Sequence, residues 1–163
     1  MKHPDDGHSA VTTADNNANV TVLLVDDSKT IRRSARSFLE SEGYMVFTAV
    51  DGFEALAKVV EHRPSVVFVD IMMPRLDGYQ TCALIKNNAD FRNIPVIMLS
   101  SKDGLFDKAR ARVVGSDAHL SKPFTSRSLT DAVRWYASGS ISSSKGANPA
   151  PENTVQPSET SDV

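Results

Sequence analysis

The sequence has little of several features that define particular classes of protein. Among its 163 residues there is one cysteine, Cys82, so the chain can form no intrachain disulfide and has no cysteine cluster for a metal. No apolar run approaches the roughly 18 residues of a membrane-spanning helix, and residues 1–19 lack the apolar stretch of a signal peptide. The formal net charge of −2 argues against a nucleic-acid-binding protein. We therefore expect a cytoplasmic protein that neither inserts into a membrane nor binds nucleic acid.

The two ends of the chain differ in composition from the middle. Residues 1–19 are polar and nearly lack large apolar side chains, and residues 138–163 are rich in serine and proline without any aromatic residue. Such segments cannot bury enough apolar surface to offset the entropy lost on ordering. We predict disordered tails at 1–19 and 138–163 around one folded domain at 20–137. No room is then left for an output domain after residue 137, so we expect output through partner binding.

The middle of the chain alternates two hydrophobic patterns. Five short apolar runs are mostly continuous, which is typical of parallel strands covered on both faces. Between and after these runs, apolar residues repeat at helical spacing. The pattern predicts an α/β fold: a five-stranded parallel sheet, doubly wound as (βα)5, with helices on both faces. The predicted strands are Val20–Val25, Met45–Ala49, Val66–Val69, Val96–Leu99 and Ala118–Leu120.

Three acidic residues follow two of the predicted strands, at the end of the sheet where ligands of such folds bind. Asp26 and Asp27 come directly after the first run, and Asp70 directly after the third. Carboxylates that converge there repel one another, which raises the pKa of one or attracts a cation. Oxygen ligands without histidine or cysteine favour Mg²⁺, and an aspartate beside Mg²⁺ is suited to accept a phosphoryl group. The simpler interpretation of Asp26 and Asp27 is that they cap the next helix.

Two further strand ends complete the candidate site. Ser100 follows the fourth run and offers a hydroxyl, while Lys122 follows the fifth and offers an ammonium for phosphate oxygens. Nothing at these strand ends is a dedicated acid or base for a second substrate, which fits a site that accepts a phosphoryl group and holds it. Elsewhere, Cys82 is interpreted as a small buried hydrophobe on the third helix, and the arginines at 32, 33, 110 and 112 as solvated surface, with a partner surface as the alternative for those at 110 and 112.

Four motifs in this order resemble the response-regulator receiver family, whose members have a CheY-like, flavodoxin-like fold. The motifs are VLLVDDSKTIRR (22–33), VFVDIMMPRLDGYQ (67–80), PVIMLSSKD (95–103) and HLSKPF (119–124). The resemblance covers residues 20–137. It implies a two-component response regulator that is not an enzyme but a phosphoacceptor, and that promotes its own phosphorylation and dephosphorylation.

The resemblance also assigns expected roles to residues at the strand ends. It implies that Asp70 is the phosphoacceptor and that Lys122 contacts the phosphate. Mg²⁺ would be bound by Asp26, Asp27 and Asp70, with the backbone carbonyl of Met72 as a further ligand.

Three more positions have roles that the resemblance implies. Ser100 would be the switch hydroxyl that moves toward the aspartyl phosphate. The Lys122–Pro123 peptide would be cis, which is an uncommon arrangement. His119 stands where the family usually has a tyrosine or phenylalanine that rotates inward on phosphorylation, so it is either the switch residue or an ordinary surface histidine.

Two stretches, MMPRLDGYQTCALIKNN (72–88) and PVIMLSSKDGLFDKAR (95–110), resemble receivers of the chemotaxis-like systems that control type IV pili. This implies a CheA-like histidine kinase as donor, a pilus-motor or signalling protein as downstream partner, and twitching motility as output. Alternatives are a flagellar-type chemotaxis receiver or phosphate sink, a receiver that is no longer phosphorylated, a flavin-binding protein, and a haloacid-dehalogenase-like phosphatase. That last class has its nucleophile on the first strand within D-x-D, whereas the best nucleophile here follows the third.

Overall fold

The computed structural model describes residues 17–101, 105–137 and 154–155, with the backbone alone for 105–108 and 154–155. From Thr21 to Ala137, as far as the chain is described, five strands alternate with five helices, as the hydrophobic pattern predicts. The strands are β1 (Thr21–Val25), β2 (Met45–Ala49), β3 (Val66–Asp70), β4 (Val96–Ser100) and β5 (Ala118–Ser121). The helices are α1 (Lys29–Ser41), α2 (Gly52–His62), α3 (Gly78–Lys86), α4 (Leu105–Val113) and α5 (Ser126–Ala137).

The predicted tails at 1–19 and 138–163 lie outside the described residues except for 17–19 and 154–155. At the first of these exceptions, the side-chain amide of Asn17 donates to the carbonyl of Glu42 at 2.7 Å. At the second, β6 (Thr154–Val155) pairs antiparallel with His119 and Leu120 of β5. This pairing was not predicted, because a serine- and proline-rich composition carries no strand signal. None of the described helices has the length and hydrophobicity to cross a lipid bilayer.

The five main strands are parallel and lie in the order β2-β1-β3-β4-β5. The chain moves from β1 to β2 on one side and then returns to β3 on the other side of β1. The topological switch point therefore lies at the carboxyl ends of β1 and β3, where such sheets bind ligands. This is the end of the sheet to which the sequence assigns the acidic residues.

Both faces of the sheet are buried, which explains the continuous apolar runs. Neighbouring strand residues point to opposite faces, so Val22 and Leu24 pack on one side while Leu23 and Val25 pack on the other. The first side is covered by α1 and α5, and the second by α2, α3 and α4. Cys82 lies fully buried in the second layer, where burial raises the pKa of its thiol to about 12. The interpretation of Cys82 as a buried hydrophobe is confirmed.

Three strands extend one residue beyond their apolar runs, among them β5, which continues from Leu120 to Ser121. The predicted β3 ended at Val69 and the predicted β4 at Leu99, whereas the ladder includes Asp70 and Ser100 as the last residues of these strands. The backbone ladder continues because it depends on main-chain hydrogen bonds rather than on side-chain polarity. Asp70 therefore lies within a strand, on a rigid part of the scaffold.

Side-chain caps begin the helices that follow the site loops. Ser28 caps α1 and Asp51 caps α2, each accepting a backbone N–H three residues on. Asp77 and Gln80 form a capping box at the start of α3. Gly43 and Gly115 follow α1 and α4 with positive φ values of 94° and 88°, a conformation that glycine adopts readily at helix ends.

Gly78 allows α3 to begin directly against the end of β3. A Cβ atom at this position would lie 2.3 Å from the carbonyl oxygen of Asp70 and 2.8 Å from the Cα of Ile71. Both neighbours are backbone atoms, which cannot move aside as the tip of a side chain can. The close approach of α3 therefore requires glycine and places the start of this helix against the backbone of Asp70 and Ile71.

We predict that Gly78→Ala destabilises the protein by about 1–3 kcal/mol, the usual cost of inserting a methyl group into a packed site. Urea unfolding would measure this free energy, with Ser37→Ala on the exposed face of α1 as the control. The control is expected to change the stability by less than about 0.5 kcal/mol. A Gly78→Ala variant as stable as this control would contradict the packing argument.

Candidate functional site

Two carboxylates are buried where β1 and β3 end, and a third lies exposed beside them. Asp26 is fully buried and Asp70 is 5% exposed, while Asp27 faces solvent. Each residue offers a carboxylate oxygen, and these oxygens lie within 4.8 Å of one another. The parallel register explains this, because Val25 pairs with Val69 and the residues after them emerge at the same edge. The structure thus brings the three predicted acids together.

The ammonium of Lys122 lies between the two buried carboxylates. Its Nζ atom is 2.9 Å from Oδ2 of Asp26 and 3.3 Å from Oδ1 of Asp70. The Lys122–Pro123 peptide is cis, as expected. The Lys122 N–H donates to the carbonyl of Ser100 at 2.6 Å. Lys122 thus lies where an anion bound to Asp70 could contact its ammonium.

Burial and charge act against each other at this site. Desolvation, with the nearby carboxylate of Asp26, raises the pKa of Asp70 to about 6, although Lys122 and the Met72 N–H favour the ionised form. Burial of Lys122 favours its neutral form, but the carboxylates of Asp26 and Asp70 outweigh this effect and raise its pKa. The ammonium of Lys122 therefore offsets only part of the negative charge of the two buried carboxylates.

The donor set fits a hard divalent cation. Three carboxylates converge, and the exposure of Asp27 leaves the cluster open to the water that Mg²⁺ retains. A cation there would offset the repulsion that helps to raise the pKa of Asp70. Met72 lies two residues beyond Asp70, and its N–H donates to Oδ1 of Asp70 at 3.3 Å. Asp26, Asp27 and Asp70 are thus the side chains that would hold it, and the Met72 carbonyl stays a predicted further ligand.

The contacts around Asp26 correct two interpretations made from the sequence: that the acidic pair caps α1, and that Arg32 is solvated. Ser28, and not Asp26 or Asp27, caps α1, and Asp26 instead accepts the Ser28 N–H at 2.9 Å. Capping therefore does not account for the acidic pair. Arg32, interpreted as solvated surface, is half-buried and donates to the carbonyl of Asp26 at 2.8 Å. Its guanidinium reaches back from the first turn of α1, a contact that composition does not indicate.

Ser100 and His119 lie on the two strands beyond Asp70. Ser100 is the last residue of β4 and is 2% exposed, one residue beyond the Leu99 that pairs with Asp70. His119 pairs with Met98 in the interior of β5 and is 1% exposed. The interpretation of His119 as an ordinary surface histidine is therefore wrong, because both faces of β5 are covered. Its role as a switch residue stays a prediction.

Sequence reasoning missed one ion pair close to this site. Arg75, in the loop after β3, pairs with Asp51, the cap of α2. The two residues are 24 positions apart, so no local pattern indicates their contact. The only sequence signal was Asp51 before Gly52, which is typical of a turn or helix start.

The fold and the site together define a class of protein. The family model described as the response regulator receiver domain matches residues 22–134. The chain belongs to this family. Its site has the acids, the hydroxyl and the lysine at the strand ends where the sequence motifs indicated them.

Three individual proteins illustrate how similar the chain is to other members of this family. The chain is 63% identical to the protein PilG of Pseudomonas aeruginosa over 113 residues, which cover 69% of this chain and 84% of PilG. It is 36% identical over 115 residues to the response regulator MprA of Mycobacterium sp. (strain KMS), of which it spans about half, 49%. The chemotaxis protein CheY4 of Vibrio cholerae has a solved structure with a TM-score of 0.69 and 32% identity, over 72% of this chain and 98% of CheY4.

We predict that Asp70→Asn stabilises the metal-free protein by about 1–3 kcal/mol near pH 7.5, because it removes a carboxylate whose ionisation is opposed by burial. The folded pKa of about 6 is raised, so the protonated group stabilises the fold at low pH, and this contribution is lost as the pH rises through about 6. The advantage of the variant should therefore shrink between about pH 6 and about pH 4.

Urea unfolding in EDTA across this pH range would measure the effect. Asp90→Asn, which removes an exposed carboxylate outside the site, is the matched control. An Asp70→Asn variant no more stable than the wild type near pH 7.5 would show that Asp70 is not destabilised by burial.

Proposed function

We propose that this protein is a response regulator that accepts a phosphoryl group on Asp70 from a CheA-like histidine kinase, with Mg²⁺ bound by the acids beside it. The observation that carries the proposal is the buried Asp70 carboxylate, 3.3 Å from Lys122 Nζ and grouped with two other carboxylates. A carboxylate with only a structural role gains nothing from burial beside a second one, since that arrangement raises its pKa. Family membership supports the same role.

The proposed chemistry is an in-line transfer between two nucleophiles. A carboxylate oxygen of Asp70 forms a bond to phosphorus as the P–N bond of the donor's phosphohistidine breaks, and the imidazole leaves with the bonding electrons and is protonated by solvent. Bound Mg²⁺ would neutralise charge on the phosphoryl oxygens. Lys122 would pair with one of these oxygens, and the Ser100 hydroxyl would donate to another. Water later hydrolyses the acyl phosphate and restores the Asp70 carboxylate. The protein would thus promote both its own phosphorylation and its own dephosphorylation.

The proposed output is control of type IV pilus twitching motility from the cytoplasm. The 63% identity to PilG supports this assignment, whereas the 32% identity to CheY4 keeps a flagellar-type chemotaxis receiver or phosphate sink as the alternative. Phosphorylation would act on a downstream pilus-motor or signalling protein by shifting the domain between two surface conformations. His119, buried beside the site strands, is the residue that we propose to take part in that shift. A strain with Asp70→Ala would separate the two outputs, because twitching and swimming are scored independently.

We predict that acetyl phosphate with Mg²⁺, or a phosphorylated CheA-like kinase, labels the wild-type protein and that Asp70→Asn abolishes the labelling. The reason is that the amide has no anionic oxygen to attack phosphorus. Phosphate-affinity gel electrophoresis would follow the reaction, with Asp90→Asn as a control that removes the same charge elsewhere. Undiminished labelling of Asp70→Asn would place the phosphoacceptor at another residue.

We predict that Mg²⁺ binds the wild-type protein and stabilises it by about 2.7 kcal/mol at one hundred times its Kd. Asp27→Asn should weaken this binding at least about tenfold, the lower range seen when even a supporting residue of a metal site is lost. Because Asp27 is exposed, its substitution should change stability in EDTA little. Isothermal titration calorimetry would measure the affinity, and wild-type affinity in the variant would remove Asp27 from the ligand set.

A further inference from the structure

The loop between β3 and α3, residues 71–77, joins the proposed phosphoacceptor strand to the next helix and contains Met72. Both ends of this loop are held locally. The Met72 N–H donates to Oδ1 of Asp70 at 3.3 Å, and the Gly78 N–H donates to the carbonyl of Ile71 at 3.0 Å. The capping box of Asp77 fixes the point where α3 starts. At the middle of the loop the Leu76 N–H donates to the carbonyl of Pro74 at 2.8 Å across Arg75, and the side chain of Arg75 contacts residues from a different part of the chain.

Arg75 contacts the start of α2 in two ways. Its guanidinium forms an ion pair with the carboxylate of Asp51, and it lies over the ring of Phe53 with Cζ 5.4 Å from the ring centroid. Asp51 is well placed as a partner because its side chain is only 12% exposed and also accepts the Glu54 N–H at 2.9 Å. That hydrogen bond and the charge of Arg75 both help to hold the pKa of Asp51 below its usual value. An ion pair with one buried, rigid partner is screened less than an ordinary surface pair.

The backbone at Arg75 is not one that arginine favours. Its φ of 68° lies in the left-handed region, which glycine, asparagine and aspartate adopt more readily. The residue type at this position is therefore explained by its side chain and not by its backbone conformation. In a non-glycine residue, such a conformation usually persists only where several surrounding contacts maintain it.

A second contact brings the same two segments together. A Cβ atom at Gly52 would lie 2.2 Å from Oγ1 of Thr81 and 2.8 Å from Cδ2 of Leu76. The first turn of α2 thus packs directly on the loop and on α3. Since Leu76 follows Arg75, the ion pair and this close packing act on neighbouring residues.

The position of the ion pair in the sheet relates it to the acids. Arg75 lies in the loop after β3 and Asp51 in the loop after β2, and these strands flank β1 on its two sides. Asp26 follows β1, and its N–H donates to the carbonyl of Ala49 at the end of β2 at 3.1 Å. The ion pair therefore joins the two loops on either side of the acidic pair.

We propose that Arg75 is a positioning residue for the cation: its ion pair with Asp51 restrains loop 71–77, which contains Met72, and so favours the loop conformations in which the Met72 carbonyl can reach the cation. This inference rests on the proposed Mg²⁺ site. Arg75 itself carries a positive charge and binds no cation. The ion pair reduces the number of conformations that the loop adopts in the absence of Mg²⁺. Mg²⁺ binds more weakly when the loop conformation that can bind it is less populated.

The test measures Mg²⁺ affinity by isothermal titration calorimetry and stability by urea unfolding in EDTA. Arg75→Ala should raise the Kd for Mg²⁺ about threefold to tenfold. This is at most the smallest loss of metal affinity that is usual when a supporting residue of a metal site is removed. Asp51→Ser removes the carboxylate but keeps a residue that caps helices well, and it should raise the Kd to the same extent. The double variant should bind no more weakly than either single variant, because both remove one interaction. Arg75→Lys, which keeps the charge, should lie between Arg75→Ala and the wild type.

Arg92→Ala is the matched control, since Arg92 is an exposed arginine in a different loop. In EDTA, Arg75→Ala and Arg92→Ala should unfold at similar urea concentrations, so that the change in Mg²⁺ affinity is not a consequence of general destabilisation. A Kd for Arg75→Ala within twofold of Arg92→Ala would overturn the proposal, and so would additive effects of Arg75→Ala and Asp51→Ser. Failure of the wild-type protein to bind Mg²⁺ would instead overturn the proposed metal site, and this inference with it.

Discussion

The rest of the site depends on the burial of two carboxylates beside the ammonium of Lys122. Burying a carboxylate without compensation costs several kcal/mol, so Asp26 and Asp70 could not share the end of the sheet unless a cation lay between them. Lys122 lies 2.9 Å and 3.3 Å from their oxygens. This compensation is incomplete, as the raised pKa of Asp70 indicates. The remaining negative charge would favour the proposed divalent cation at the adjacent Asp27, and a bound cation would in turn reduce the repulsion of an incoming phosphoryl group.

The same arrangement suggests how a phosphoryl group on Asp70 would change the domain. A phosphoryl group adds roughly −1.5 to −2 charges at neutral pH, and it would compete with both carboxylates for Lys122. Lys122 directly follows β5. His119 in that strand is buried. Packed interiors respond to such displacement by changing between discrete arrangements rather than by gradual deformation. A shift of Lys122 would therefore be transmitted to β5 and the helices that cover it.

The sequence predicts where the candidate site residues lie, because their positions follow from the sheet. Continuous apolar runs identify buried parallel strands, and parallel strands end at one edge, so Asp26, Asp70 and Lys122 could be placed together. The strand bounds were less predictable, since the ladder of β3 continues by main-chain hydrogen bonds into polar Asp70. Burial of His119 could not be predicted from the short run in β5, because it depends on which elements cover the two faces. The cap of α1 was Ser28 and not an acid, since capping depends on local backbone angles that composition does not reveal.

Residues proposed to react and residues proposed to position them therefore differ in how they can be found. The proposed reacting groups lie at strand ends, and the hydrophobic pattern identifies strand ends. A positioning contact such as Arg75 with Asp51 joins two loops that the chain brings together only after a complete βαβ crossover. Either residue alone has an ordinary explanation, as a solvated arginine or a helix cap. The left-handed backbone of Arg75 is the feature that distinguishes it, because such a conformation in a non-glycine residue is maintained by the contacts around it, here the turn closed by Leu76 and Pro74 and the ion pair with Asp51. Such conformations are accordingly the place to look, in receiver domains of this kind, for residues that tune cation affinity without touching the cation.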